Sequence, residues 1–203
     1  MSETASSGDL RRRAAALAGH SGDTSTARDL ITDNDPKVRA TALTALSRAG
    51  GISKTDLDAA ASDPSPVVRA RAAELSAAGD AGALGRLRAL TADPQPSVVE
   101  AACFALGELG SSATAAVEDL VTVARRHGDP LSRESAVAAL GAIGSPGGLP
   151  AILAALEDKP AVRRRAVLSL AAFEGPEVDA ALQRAAQDRD WQVRQAAEDL
   201  LTS

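Results

Sequence analysis

Small and apolar residues return four, seven, eight and eleven positions after an apolar anchor, and the pattern recurs along the whole chain. From Val38 it marks Ala42, Ala45, Leu46 and Ala49; from Ser132 it marks Ala136, Ala139, Leu140 and Ile143. A helix advancing 100° per residue gathers those positions into one stripe. Seven such stretches begin at Leu10, Val38, Val68, Val98, Ser132, Val162 and Val193, at intervals of 28 to 34 residues. Two residues before the anchor stands Pro36, Pro66, Pro96, Pro130 or Pro160, where a first helical turn has no use for the missing N–H. Asp or Ser nearby can cap that turn, and Gly50, Gly79, Gly110, Gly144 and Gly175 supply stops at the other end.

Between these stretches the pattern predicts a second, less regular set of helices. Leu84, Leu87 and Leu90 mark one, Val117 to Ala124 another, Leu149 to Leu156 a third and Val178 to Ala185 a fourth, with weaker members near Leu30–Ile31 and Leu57–Ala61. A hairpin of about 30 residues is too small to cover its own apolar stripe, so it must stack on its neighbours. The expected fold is therefore all-α: an α-solenoid of about six helical hairpins with an N-terminal capping helix. Residues 9–203 form one repeat array and residues 1–8 a loose tail. Two places depart from the rule. Trp191 stands where earlier stretches have proline, and is expected to cover the terminal stripe. Val99 replaces a recurring arginine, Glu100 follows it, and the longest interval comes next; a longer helix within "TAAVEDLVTVARRHGD" is expected to absorb the extra length.

Composition narrows the picture. The chain is 45% apolar but only 1% aromatic, so its core must be thin, with helices lying close over Ala, Leu and Val. A net charge of −5 opposes a dedicated nucleic-acid binder, which needs a cationic face. The single Cys103 excludes an intramolecular disulfide and any multi-cysteine metal site, and its apolar surroundings mark it as a small buried hydrophobe. The opening "MSETASSGDLRRR" lacks the apolar region of a signal peptide, and no run approaches a membrane span. These features lead to the expectation of a cytoplasmic protein. Lysine occurs only at Lys37, Lys54 and Lys159, an arginine bias that a GC-rich bacterial genome explains.

The capped D-P-x-x-V-R-x-x-A-x-x-A-L-G-x-x-G helix followed by a second helix resembles HEAT-like repeats of the phycobilisome-lyase type. The resemblance covers roughly residues 9–203 and implies a right-handed superhelix. It says little about activity, since such repeats serve scaffolds, enzyme subunits and chromophore lyases alike. It also favours a structural reading of the recurring charges. Arg11, Arg39, Arg69, Arg133, Arg163 and Arg194 share one position, and Asp35, Asp63, Asp93, Asp129, Asp158 and Asp190 precede the repeated helices. A ladder, in which each Arg offers its planar fork to a carboxylate or loop carbonyl of an adjacent repeat, accounts for both series.

Positions three, six and ten after the anchor point away from the buried stripe. They collect an apolar middle at Phe104 and Leu168, surrounded by Arg71, Glu74, Glu108 and Arg165, a composition suited to holding a protein segment. These six are the candidate partner-binding residues. Catalytic motifs are missing: His20 and His127 are the only imidazoles, both near helix ends, and there is no phosphate-binding loop, dinucleotide fingerprint or H-E-x-x-H. Deoxyhypusine hydroxylase, a HEAT-like enzyme with a di-iron centre, uses His-Glu pairs, and this chain has no His-Glu dipeptide. The "GSPGGLP" stretch at 144–150 reads as a turn. The expected role is a scaffold or adaptor that binds a partner protein, without catalysis, cofactor, metal, nucleic acid, membrane or small-molecule substrate. The alternative is an accessory or lyase-like subunit acting on a chromophore-bearing protein.

Overall fold

The computed structural model describes residues 6–78 and 80–202. The chain divides into two compact units, the first ending at Arg86 and the second beginning at Leu87. In the first, the repeated helices α1 (Ser7–Ser21), α3 (Pro36–Arg48) and α5 (Pro66–Ser76) pack in succession. Helix α2 (Thr24–Leu30) packs on α1 and α3, and α4 (Lys54–Ala61) on α5. Helix α6 (Ala83–Leu90) contains the division. In the second unit α7 (Pro96–Glu108), α9 (Pro130–Ile143), α11 (Pro160–Ser169) and α13 (Trp191–Leu201) form the successive layer. Against it lie α8 (Val117–Arg126), α10 (Leu149–Ala155) and α12 (Pro176–Ala185). Among the described residues there is no strand. The fold is an all-α solenoid of stacked helical hairpins, as the periodicity predicts.

Helix ends follow the sequence closely. Proline occupies the first turn of α3, α5, α7, α9 and α11, while Asp35 and Asp129 cap α3 and α9 by accepting from Lys37 N and Ser132 N. Gly144 ends α9 at φ 65°, a left-handed conformation costly to residues with a Cβ. Gly50, Gly110 and Gly175 also have positive φ, and Gly79 lies outside the described residues. Two boundaries and one side chain differ from expectation. Ser6 caps α1, so Ser7 and Gly8 belong to the helix and not to a tail; residues 1–5 lie outside the described residues. The extra length after α7 is a 3-10 segment, Gly110–Ala116, followed by an α8 of ordinary length. Trp191 is the first residue of α13 and is 65% exposed, so most of it stands in water and it does not seal the terminal stripe; Asp190 caps that helix.

The core is made of small layers. Leu46 is buried in the first unit in a cluster with Ala18, Ala27 and Ala45, and Leu106, Leu120, Leu140 and Leu170 are buried in the second. Close approach of the repeated helices requires residues without bulk. A Cβ at Gly141 would fall 2.6 Å from that of Ser169 on the next repeated helix, so α9 and α11 meet where only hydrogen fits. Ser169 Oγ donates to Val137 O across the same contact, satisfying its buried hydroxyl.

The arginines form the expected ladder, with a correction to its acceptors. Arg39 Nε and Nη2 bind both oxygens of Asp63, Arg133 those of Asp158 and Arg163 those of Asp188. Arg11 does the same with Asp33. The remaining Nη1 of Arg39, Arg133, Arg163 and Arg194 donates to a carbonyl in the loop before its own helix. In the two "D-x-D" loops the first aspartate, Asp33 or Asp188, is the rung, and Asp35 or Asp190 only caps. Asp63 and Asp158 are rungs as expected, whereas Asp129 is a cap. The rung carboxylates also hold their loops: Asp33, Asp63 and Asp188 each accept the backbone N–H two residues on. Hydrogen bonds from Arg163 and Arg133 hold the carboxyls of Asp188 and Asp158 below their usual range.

A buried cluster that the sequence pattern did not reveal fastens the end of the first unit. Arg86, with a side chain only 3% exposed, donates to Asp80, Asp58 and Ser76 Oγ. Its three partners come from α4, the end of α5 and the loop before α6, so a single guanidinium ties three segments together.

Candidate functional site

The second unit carries the candidate site. Because α7, α9 and α11 lie side by side, residues four apart on each helix line one face. That face is a shallow trough floored by α9 and walled by α7 and α11. One cavity of about 350 Å³ is lined by Phe104 and Glu108 of α7, by Leu131, Glu134, Ala138 and Ala142 of α9, and by Arg165 of α11. A second, about 390 Å³, continues from Ala138, Ala142 and Arg165 to Leu168 and Ala172. Phe104 is 62% exposed, Leu131 53% and Leu168 44%, so three large apolar side chains stand in water around an alanine floor. Isolated exposed leucines are ordinary in any protein, but a connected apolar trough is not.

Polar groups border the trough sparsely. Arg165 Nη2 lies 3.5 Å from Glu134 Oε1, a pair linking α9 to α11. Glu108 is exposed at the end of α7. Beneath Phe104, Cys103 is fully buried; burial, aided by the charge of Glu100, pushes its thiol up to about 12, so it is a packing residue without thiolate character. Glu100 is held above its usual range by burial and by Asp129, with His127 opposing.

Four of the six sequence-derived site residues, Phe104, Glu108, Arg165 and Leu168, thus share one trough. Arg71 and Glu74 lie on α5 in the first unit and pair with each other at 3.0 Å. The Nε of Arg71 is buried without a hydrogen-bond partner. Leu131 and Glu134 were missed because the projection began at position three. Leu131 precedes its anchor by one residue, four before position three, and hence lies on the same face. His20 is exposed in the last turn of α1, and His127 caps the end of α8. Among the described residues no three His, Cys, Asp or Glu are grouped to hold a metal. No described helix is long and apolar enough to cross a membrane.

HEAT repeats match residues 2–75, 54–123 and 117–202, nearly the full length. The chain belongs to the HEAT-repeat family. No curated protein matches it. Among solved structures it is similar to an engineered protein at 22% identity and TM-score 0.68, covering 89% of this chain and 97% of that one. It is similar to the complex of CpcE and CpcF of phycocyanin lyase from Nostoc sp. at 24% identity and TM-score 0.62, covering 88% and 75%. Human deoxyhypusine hydroxylase, solved with glycerol, aligns at 25% identity and TM-score 0.51, covering 97% and 79%. The first two share the fold.

Proposed function

We propose that this chain is a non-catalytic scaffold or adaptor of the bacterial cytoplasm that holds a segment of a partner protein in the trough of its second unit. The observation that carries this reading is the exposure of Phe104 and Leu168 on either side of an alanine floor. Adjacent packed helices lie about 8–10 Å apart, so the space between α7 and α11 accepts one polypeptide segment over α9. The apolar centre and sparsely charged border have the makeup of a protein interface. Phe104→Asp tests it: the partner retained by the wild-type protein is lost while the melting temperature stays unchanged. If the substitution instead collapses the fold, Phe104 is a packing residue and the trough reading fails.

The similarity to the CpcE–CpcF lyase complex favours one second reading, an accessory subunit acting on a chromophore-bearing protein. It requires the purified protein, or its complex with the partner, to carry visible absorbance from a bound pigment. A colourless complex with a pigment-free polypeptide leaves the scaffold alone.

A further inference from the structure

A cavity of about 420 Å³ opens among α10, α11, α12 and α13 and shares no residue with the trough. Leu153, Leu156 and Val193 supply apolar walls, and Glu157, Arg184 and Arg189 bring charge to it. Arg163 and Asp188 also line it but are already matched. The Asp188 carboxylate accepts Arg163 Nε at 2.9 Å, Arg163 Nη2 at 2.7 Å and Asp190 N at 2.8 Å, leaving little capacity for a further donor. Among the described residues Arg189, beside it, has no ion pair within 4 Å, and neither has Arg184 in the last turn of α12. This differs from the trough, where Arg165 is paired with Glu134. In an acidic chain, two unmatched guanidinium groups and one carboxylate are gathered around an apolar hollow.

We infer that this cavity binds the carboxyl-terminal residue of a polypeptide with an aliphatic side chain. Arg184 and Arg189 face the terminal carboxylate, Leu153, Leu156 and Val193 the side chain, and Glu157 accepts the last backbone N–H. An internal Asp or Glu fits less well, because its carboxylate is its side chain and no apolar group shares its α-carbon. A cavity near the lower end of the usual 300–1,000 Å³ for ligand sites suits one residue. Paired arginines favour a planar carboxylate over a neutral amide.

The test titrates the isotopically labelled full chain with acetyl-Gly-Gly-Leu, the same peptide as its C-terminal amide, and free leucine, following backbone amide shifts. The free-acid peptide is expected to move the signals of Leu153, Ala181, Ala185 and Val193 at millimolar concentration, and the amide to bind at least about tenfold more weakly. The double variant Arg184→Ala, Arg189→Ala, whose side chains are exposed, should keep its melting temperature and lose the acid-over-amide preference. Equal binding of acid and amide, or no shift with either peptide, overturns the site. Free leucine binding as tightly as the peptide overturns the polypeptide ligand. None of these outcomes depends on the trough.

Discussion

The junction between α11 and α13 and the junction between α7 and α9 solve the same problem with different chemistry. At the first, Arg163 grips Asp188, and Asp188 in turn receives Asp190 N and shapes its loop. At the second, the position equivalent to Arg163 is Val99, fully buried, and the position equivalent to Asp188 is His127. His127 Nδ1 still accepts the backbone N–H two residues on, from Asp129, and its carbonyl still receives Arg133 Nη1. The ion pair has gone at both ends together while the turn has been kept. Holding the loop is thus the indispensable part of a rung, and the charge across repeats is replaceable by apolar contact. The uncharged junction is also the one that carries Phe104 and the trough.

Restoring one half of the missing rung should produce the largest effect. Val99→Arg places a cation at a fully buried position whose rung carboxylate is missing, with an expected loss of about 4 kcal/mol in urea unfolding. Adding His127→Asp should recover most of that, because an aspartate there can both receive the fork and hold the turn. A double variant as unstable as the single one would show that the two junctions differ in backbone geometry and not only in side chains. The converse experiment breaks a normal rung: Asp188→Ala strands Arg163, 5% exposed, and frees its loop, with an expected loss of about 3 kcal/mol.

Acid separates the two junctions by sign. Asp158 and Asp188 have folded pKa values below the ordinary 3.8, so their contribution is complete above that value and is lost as pH falls through the folded ones. Glu100, beside the uncharged junction, is raised above the ordinary 4.5. Its contribution is most favourable below 4.5 and is lost as pH rises through the folded value. Urea midpoints between pH 3 and 7 should therefore respond oppositely to two substitutions. Glu100→Gln should raise stability at neutral pH relative to acid, and Asp188→Asn should flatten the loss at the acid end. A common direction for both would contradict the assignment.

Much of this architecture was legible in the chain because repetition makes each position an independent test. Pro36 through Pro160 mark helix starts, and Gly144 marks a stop whose φ is left-handed, since both signals rest on backbone sterics. The ladder was legible only in outline. "D-N-D" and "D-R-D" offer two carboxylates two residues apart, and sequence spacing does not say which reaches the neighbouring arginine. His127 as a turn acceptor was hidden because an imidazole substitutes for a carboxylate only through a tautomer and a loop geometry. The 3-10 segment is only half legible: Gly110 reads correctly as a stop, whereas Thr114 to Ala116, placed by the sequence in a longer helix, are the end of the 3-10 segment. Within the trough, Phe104 and Leu168 stand out as the large apolar residues six positions after their anchors, where other stretches have Thr44, Glu74 and Ala138, whereas Leu131 lies outside the positions projected.

The smallest expected effect on stability belongs to the residue with the largest proposed effect on function. Phe104 and Val99 share α7, five residues apart, yet Val99 is sealed and Phe104 is mostly in water. Truncating an exposed side chain removes little contact that folding created, so Phe104→Ala should change the unfolding free energy by no more than about 0.5 kcal/mol. Val99→Ala, at a fully buried site, should cost more despite deleting fewer atoms, because the cavity it leaves cannot be filled by water. Reversal of that order would mean that the phenylalanine ring packs against the repeat in solution and the trough is closed. The expected order would show that α7 presents its largest side chain to the outside without any need of the fold, which is what a binding residue requires.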